Sequence, residues 1–301
     1  MSRIYDALKK AELDRQAQTQ NGSSLPIDQA IVAPAVIPEP VFQTGATPMN
    51  EVESEDQVKR LPWNLDLNKL PAMQATNLGG EIFRRLRSRL LEARDASPFK
   101  SFLITSGLPG EGKTFIATNL ALTLAGRDNS RVLLIDGDLR RPSVHTVLGA
   151  ASKPGFAEYL AGTAGVGDIL QYGPIPNFSF IPGGEGGEHS AALAANGKAE
   201  ELVSSMASAF DWIIIDSSPV IPVSDPVNLS RACDAVLLVT RAVSTPFPIA
   251  QKVKNELSGS RLLGIVLNGV EDLPSSSYGY YHGYAASGPK KSTAHQEGTR
   301  A

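Results

Sequence analysis

The stretch that most constrains the fold runs from Ser101 to Ala125. A short apolar run, Ser101-Phe102-Leu103-Ile104-Thr105-Ser106, leads into Gly107-Leu108-Pro109-Gly110-Glu111-Gly112-Lys113-Thr114, and helix-forming residues follow. Gly-x-x-x-x-Gly-Lys-[Ser/Thr] between a strand and a helix is the pattern of a phosphate-binding loop. The chemistry needs that context. Glycine reaches positive φ and lets backbone N–H groups approach phosphate oxygens, and the helix N-terminus adds a favourable partial charge. Gly107, Pro109, Gly110, Glu111, Gly112, Lys113, Thr114 and Phe115 are therefore expected around bound ATP. Lys113 would hold the β- and γ-phosphates, and the Thr114 hydroxyl would ligate Mg²⁺.

The same alternation continues along the chain. Strands are expected at 101–106, 131–136, 178–181, 212–216, 235–240 and 262–267, with helices at 80–93, 113–125, 199–209, 226–232 and 248–257. The strand runs are continuously apolar, so both faces are buried. The fold class is α/β, a mostly parallel sheet flanked by helices. In such sheets ligands lie beyond the carboxyl ends of the strands. Asp136 and Asp138 follow the run Val132-Leu133-Leu134-Ile135, and Asp216 follows Trp212-Ile213-Ile214-Ile215. All three are expected to converge on the loop as catalytic groups beside Lys113. One would bind Mg²⁺ and another would accept a proton or orient water. A strand-end Asp also serves as a turn or cap, and Asp138 could instead pair with Arg140 or Arg141, but combined with the phosphate loop the metal-site reading is favoured.

The rest of the chain is organised around this domain. Residues 1–20 read as an N-terminal helix, 21–76 as a proline-rich linker, 77–270 as the nucleotide-binding domain, and 271–301 as a disordered tail rich in tyrosine. Of the seven tyrosines, Tyr278, Tyr280, Tyr281 and Tyr284 cluster in Tyr-Gly-Tyr-Tyr-His-Gly-Tyr. A net charge of −3 gives no electrostatic footprint for nucleic acid, and the single cysteine excludes an internal disulfide. No run approaches the roughly 18 apolar residues of a membrane span, and no secretion signal opens the chain, so a cytoplasmic location is expected. His145 and His189 are too isolated for a metal site, Cys233 reads as a packing residue, and Pro219 and Pro222 shape the loop after Asp216. Asp225 lies near that loop without an assigned position.

Three ordered motifs, Gly107 to Thr114, Leu133 to Arg140 (ending Asp-x-Asp-x-Arg) and Ile213 to Pro219 (Asp-x-x-Pro), resemble those of the bacterial tyrosine kinases of exopolysaccharide and capsule synthesis. The resemblance implies a SIMIBI-type P-loop domain, related to the partitioning and cell-division-site ATPases. Those ATPases usually carry a lysine after the first loop glycine; Leu108 stands there, which favours the kinase branch. It further implies autophosphorylation of Tyr278, Tyr280, Tyr281 and Tyr284, with Asp136 or Asp138 as the base and Thr114, Asp138 and Asp216 at the metal. Glu81, Arg84 and Arg87 match the family's ring-forming Glu-x-x-Arg-x-x-Arg. They share one side of the expected helix, with Ile82, Leu86 and Leu90 as its apolar side. A separate membrane chain-length regulator is implied as activator, drawing the kinase to the inner face of the membrane, with other polysaccharide enzymes as further substrates. Two other readings stand beside this one: a P-loop ATPase switch without kinase activity, and a non-catalytic nucleotide-binding scaffold.

Overall fold

Strands form where short β-branched and aromatic runs can be buried on both faces at once. The computed structural model describes residues 61–74, 78–126 and 130–270. The expected N-terminal helix, most of the linker and the tyrosine tail lie outside the described residues. Helix α1 spans Leu78–Ala96, and β1 (Ser101–Ser106) then leads through the glycine loop into α2 (Lys113–Ala125). Next come β2 (Val132–Gly137), α3 (Val144–Leu148), α4 (Phe156–Ala161), α5 (Val166–Ile169), β3 (Gln171–Tyr172) and β4 (Phe178–Ile181). The chain continues through α6 (Ser190–Ala194), α7 (Lys198–Met206), β5 (Trp212–Ser217), α8 (Asp225–Leu229), β6 (Ala235–Arg241), α9 (Phe247–Glu256) and β7 (Leu262–Asn268). The short helices α3 to α6 and strand β3 were not legible in the sequence, because runs of two to six residues carry no sustained period.

The strands form one seven-stranded sheet in the order β3-β4-β2-β5-β1-β6-β7. Only β3 is antiparallel to its neighbour. Alternate residues feed two cores. Phe102, Ile104, Val132, Leu134, Trp212 and Ile214 face α1 and α2, while Leu103, Leu133, Ile135, Ile213 and Ile215 face the side that includes α4, α7 and α9. Each such side chain stabilises the fold by about 1.5–3 kcal/mol through burial. Helix α2 runs beneath α1 and is buried along its whole length from Ile116 to Ala125.

Helix α1 turns a different face inward from the one expected. Phe83 and Leu90 are buried and Leu86 is partly so, whereas Ile82 is 47% exposed. The stripe that meets α2 follows Phe83, Leu86, Arg87 and Leu90, and Ile82 falls about a quarter-turn away from it. Arg87 belongs to the inner side as well. Its guanidinium donates to the Thr123 carbonyl at 2.9 Å, in the last turn of α2, where the helix end is electronegative. Glu81 and Arg84 form an ion pair within the helix at 2.8 Å, so they point together while Arg87 does not join them.

Residues 61–74, read above as the end of the linker, are packed against the domain. Leu61 N–H donates to the Tyr172 carbonyl at 2.7 Å, and Asp66 N–H to that of Val147 at 2.9 Å. The Trp63 ring meets Phe178 and Phe180 edge-on, with centroids 5.9 and 6.1 Å away. Gly173 makes room for it, since a Cβ there would lie 2.2 Å from the indole. Leu70 is fully buried. Asn119, inside α2, ties the segment down: its amide donates to the Lys69 carbonyl at 2.9 Å, and its side-chain oxygen accepts the Ala72 N–H at 3.0 Å. Proline richness upstream concealed this, because a strap of two aromatic or aliphatic anchors has no period.

Asn119→Ala leaves the Ala72 N–H and the Lys69 carbonyl without protein partners, and should lower unfolding free energy by about 2 kcal/mol. Urea denaturation measures the loss, and limited proteolysis should find new cleavage within residues 61–74.

Candidate active site

The glycine loop leaves β1 at Gly107 and enters α2 at Lys113. Gly110 and Gly112 have φ of +82° and +95°, a region open to glycine and costly for other residues. Gly112 is further required by crowding, because a Cβ would lie 2.0 Å from the Asn268 amide. Ser106 donates its hydroxyl to the Leu108 carbonyl at 2.9 Å, which closes the loop at its base. Pro109 and Gly110 form the exposed rim.

Asp138 and Asp216 lie against residues of this loop, while Asp136 lies behind them, next to Asp216. Strand β5 lies between β1 and β2, and the register sets Asp216 opposite both Asp136 and Ile104. Gly137 lets the two strand ends approach, since a Cβ there would lie 2.7 Å from the Asp216 carbonyl. Lys113 Nζ meets Asp138 Oδ2 at 3.1 Å, with the two side chains only 14% and 8% exposed. Asp138 therefore pairs with the loop lysine and not with its own arginines. Arg140 instead forms a two-pronged pair with Asp225, at 2.8 and 3.2 Å, and Asp225 is fully buried. The position left open for Asp225 in the sequence is thus the second core's edge, where it orients Arg140.

The three acids are not equivalent. Asp136 is fully buried and accepts backbone N–H groups from Ser143 at 2.9 Å, Val144 at 3.0 Å and Asp138 at 3.2 Å. It caps the turn that follows β2. Asp216 is equally buried and neither of its oxygens closes a full hydrogen bond, although the Thr114 hydroxyl and the Ser217 N–H lie near enough to favour its charged form. Burial raises both carboxyls above the usual range. The facing Asp216 charge adds to the rise at Asp136, while Lys113 and the nearby Thr114 hydroxyl oppose it at Asp216. Two adjacent buried carboxylates resist ionising together unless a cation joins them. The Asp216 oxygens, beside Thr114 in the first turn of α2, have the donor set and charge that suit Mg²⁺.

Two residues expected near the nucleotide turn their side chains elsewhere. Phe115 packs its ring on Phe83 of α1, with centroids 5.7 Å apart. Glu111 is buried within the loop, where its carboxylate accepts the Leu108 N–H at 2.7 Å and the Thr245 hydroxyl. Thr245, Arg241 and Asn268 escaped the sequence reading, although Arg241 donates to the Gly110 carbonyl at 3.3 Å and Asn268 to that of Glu111 at 2.9 Å. They lie more than a hundred residues downstream, and only the pairing of β6 and β7 beyond β1 brings them here. No group of three or more metal-ligating His, Cys, Asp or Glu side chains forms among the described residues. Cys233 is half-buried against the second core, and burial pushes its thiol upward. No described helix is long and apolar enough to cross a membrane. Tyr278, Tyr280, Tyr281 and Tyr284 lie outside the described residues.

No protein-family model matches the chain. It is 32% identical over 216 residues to the tyrosine-protein kinase YwqD of Bacillus subtilis, covering 71% of this chain and 91% of the relative. It is 32% identical over 246 residues to the putative tyrosine-protein kinase AmsA of Erwinia amylovora, covering 78% of this chain but only 34% of that longer protein. Among solved structures, the kinase domain of Escherichia coli tyrosine kinase ETK superposes with a TM-score of 0.64 at 26% identity, over 81% of this chain and 87% of that one. The cell division ATPase MinD of Pyrococcus furiosus gives 0.50 at 28% identity, over 60% and 78%. The fold is thus that of the P-loop kinases and ATPases, which implies that the chain binds nucleotide.

The geometry separates Asp136 from Asp138. Asp136→Ala strips an acceptor from three backbone N–H groups and should lower the unfolding midpoint by on the order of 10 °C. Asp138→Ala should lower it far less. Differential scanning calorimetry of the two variants measures the contrast, and equal losses would refute the capping role of Asp136.

Proposed function

The chain belongs to the bacterial tyrosine-protein kinases, and from that premise we propose that it is an autokinase that transfers the γ-phosphoryl group of ATP to tyrosines of its own tail. The targets are Tyr278, Tyr280, Tyr281 and Tyr284. The observation that carries this reading is the cluster at the carboxyl ends of the central strands: Lys113 paired with Asp138 beside a fully buried Asp216 whose oxygens close no full hydrogen bond.

Loop N–H groups and Lys113 would hold the phosphates in the orientation that attack requires. Thr114 and Asp216 would hold Mg²⁺, which neutralises charge on the phosphate oxygens. As Lys113 turns towards the phosphates, Asp138 loses its partner and becomes free to accept a proton. A phenol has a pKa near ~10, so its oxygen needs such an acceptor as it attacks. The phenolic oxygen forms the new bond to phosphorus, the bond to the ADP oxygen breaks, and the phenolic proton passes to Asp138. Asp136 is held by three N–H groups and serves the fold, which leaves Asp138 as the base in this reading.

Wider features follow from the family. Residues Glu81 and Arg84 would contact a neighbouring copy in a ring, with Arg87 fastening α1 to α2 beneath them. Each tail would be modified by its neighbour. A separate membrane chain-length regulator would activate the kinase and draw it to the membrane, where phosphorylation would govern exopolysaccharide or capsule polymerisation and export. Other enzymes of that machinery would be further substrates. Likeness to a cell division ATPase supports a second reading, a nucleotide switch that hydrolyses ATP without modifying tyrosine.

Mass spectrometry after incubation with ATP and Mg²⁺ should find phosphate on the tail tyrosines, and none in Lys113→Met. Steady ADP release without phosphotyrosine, even with an activator fragment present, would favour the switch. For assembly, a Glu81→Ala/Arg84→Ala chain should stay folded, since a surface ion pair contributes at most about 1 kcal/mol. Light scattering should show it shifted at least tenfold towards monomer.

A further inference from the structure

Glu111 is a loop residue that sequence patterns assign to the nucleotide, yet its carboxylate is 3% exposed and faces the protein. One oxygen accepts the Leu108 N–H at 2.7 Å, across the loop. The other accepts the hydroxyl of Thr245, from the turn between β6 and α9. That turn is closed on itself. Thr245 Oγ1 accepts the Arg241 N–H at 2.9 Å, and the Thr245 N–H donates to the Arg241 carbonyl at 3.0 Å. At its tip Val243 has φ of +62°, a left-handed conformation that strains a β-branched residue. The Val243 side chain is fully exposed, so no packing compensates the strain. Hydrogen bonds hold it instead, at the base of the turn and from the Ala242 N–H to the Asn268 carbonyl at 2.8 Å.

We infer that Thr245, acting through Glu111, is a positioning residue that presets the phosphate loop for nucleotide. The physical reason lies in the loop's own composition. Three glycines, Gly107, Gly110 and Gly112, give it the freedom to wrap a phosphate and equal freedom to leave that shape. Its N–H groups must point inward before the phosphate arrives, and a loop that has to be ordered on binding loses affinity by the fraction of time it is out of shape. Glu111 ties the loop across its width at Leu108, and Thr245 fixes the Glu111 carboxylate. Arg241 at Gly110 and Asn268 at Glu111 hold the same rim by its carbonyls. Thr245 itself touches no phosphate in this arrangement. Its effect passes through the carboxylate.

The inference rests on nucleotide binding at this loop, and the test separates the two. The full chain is titrated with a fluorescent ADP analogue and Mg²⁺, and thermal unfolding of the nucleotide-free protein is recorded alongside. Thr245→Val keeps the shape and removes the hydroxyl. It should raise the Kd roughly tenfold and lower the unfolding midpoint by about 5 °C, as expected for a lost hydrogen bond to a buried charged group, while the protein stays folded at the titration temperature. Thr245→Ser keeps the hydroxyl and should bind within about twofold of the unmodified chain. A valine variant that binds as tightly as the unmodified protein overturns the inference, as does a serine variant that loses as much as valine. If valine prevents folding, Thr245→Ala against Thr245→Ser gives the same contrast. Failure of the unmodified chain to bind ADP would remove the nucleotide reading itself, and this inference with it.

Discussion

The structure depends on the insertion of β5 between β1 and β2. This parallel pairing sets Asp216 opposite Asp136 on one side and beside the root of the glycine loop on the other. Buried carboxylates placed side by side are unfavourable, and the surrounding structure is arranged to tolerate them. Three backbone N–H groups are committed to Asp136, Lys113 is committed to Asp138, and Asp216 closes no full hydrogen bond on either oxygen. That distribution gives each acid a different task from the same residue type. Gly137, the residue between Asp136 and Asp138, is part of the device, because any side chain there would push β2 and β5 apart.

Around this centre the loops are held by elements distant in sequence. The glycine loop is tied on its outer rim by β6, by the turn after it and by the end of β7. On the opposite side of α2, Asn119 fastens residues 69–72, and Arg87 reaches the helix's last turn. Helix α2, whose first residue is the glycine loop's Lys113, is therefore anchored at both ends. A rigid mount suits a group that must find phosphate with little freedom. The outward side of α1, with Ile82 exposed and Glu81 paired to Arg84, remains available for another surface.

Most of the sheet and the loop were legible in the sequence for a simple reason. Runs such as Ile213-Ile214-Ile215 are apolar at every position, which only a doubly covered strand accommodates, and the glycine-lysine pattern has one well-understood use. Legibility ended where contacts depend on strand order. Glu111 matched the loop pattern but turned inward to Thr245, and nothing near Thr245 in the chain marks it. The phase of α1 was misjudged because Ile82 and Phe83 both suit an apolar face, and the choice belongs to the neighbouring helix. Residues 61–74 were mistaken for linker because Trp63 and Leu70 dock as isolated anchors into sites made by Gly173 and α2.

The sequence by itself determined the class of fold, the nucleotide loop and the three acids at strand ends, since each rests on local pattern and short-range backbone chemistry. Tertiary structure alone decided how those acids differ. Asp136 became a cap, Asp138 the partner of Lys113, and Asp216 a buried acid that closes no full hydrogen bond, through the contacts each finds across the sheet. It also decided which distant residues steady the loop. Roles of this kind are set by burial and by neighbours in space, and a linear spacing carries no information about either.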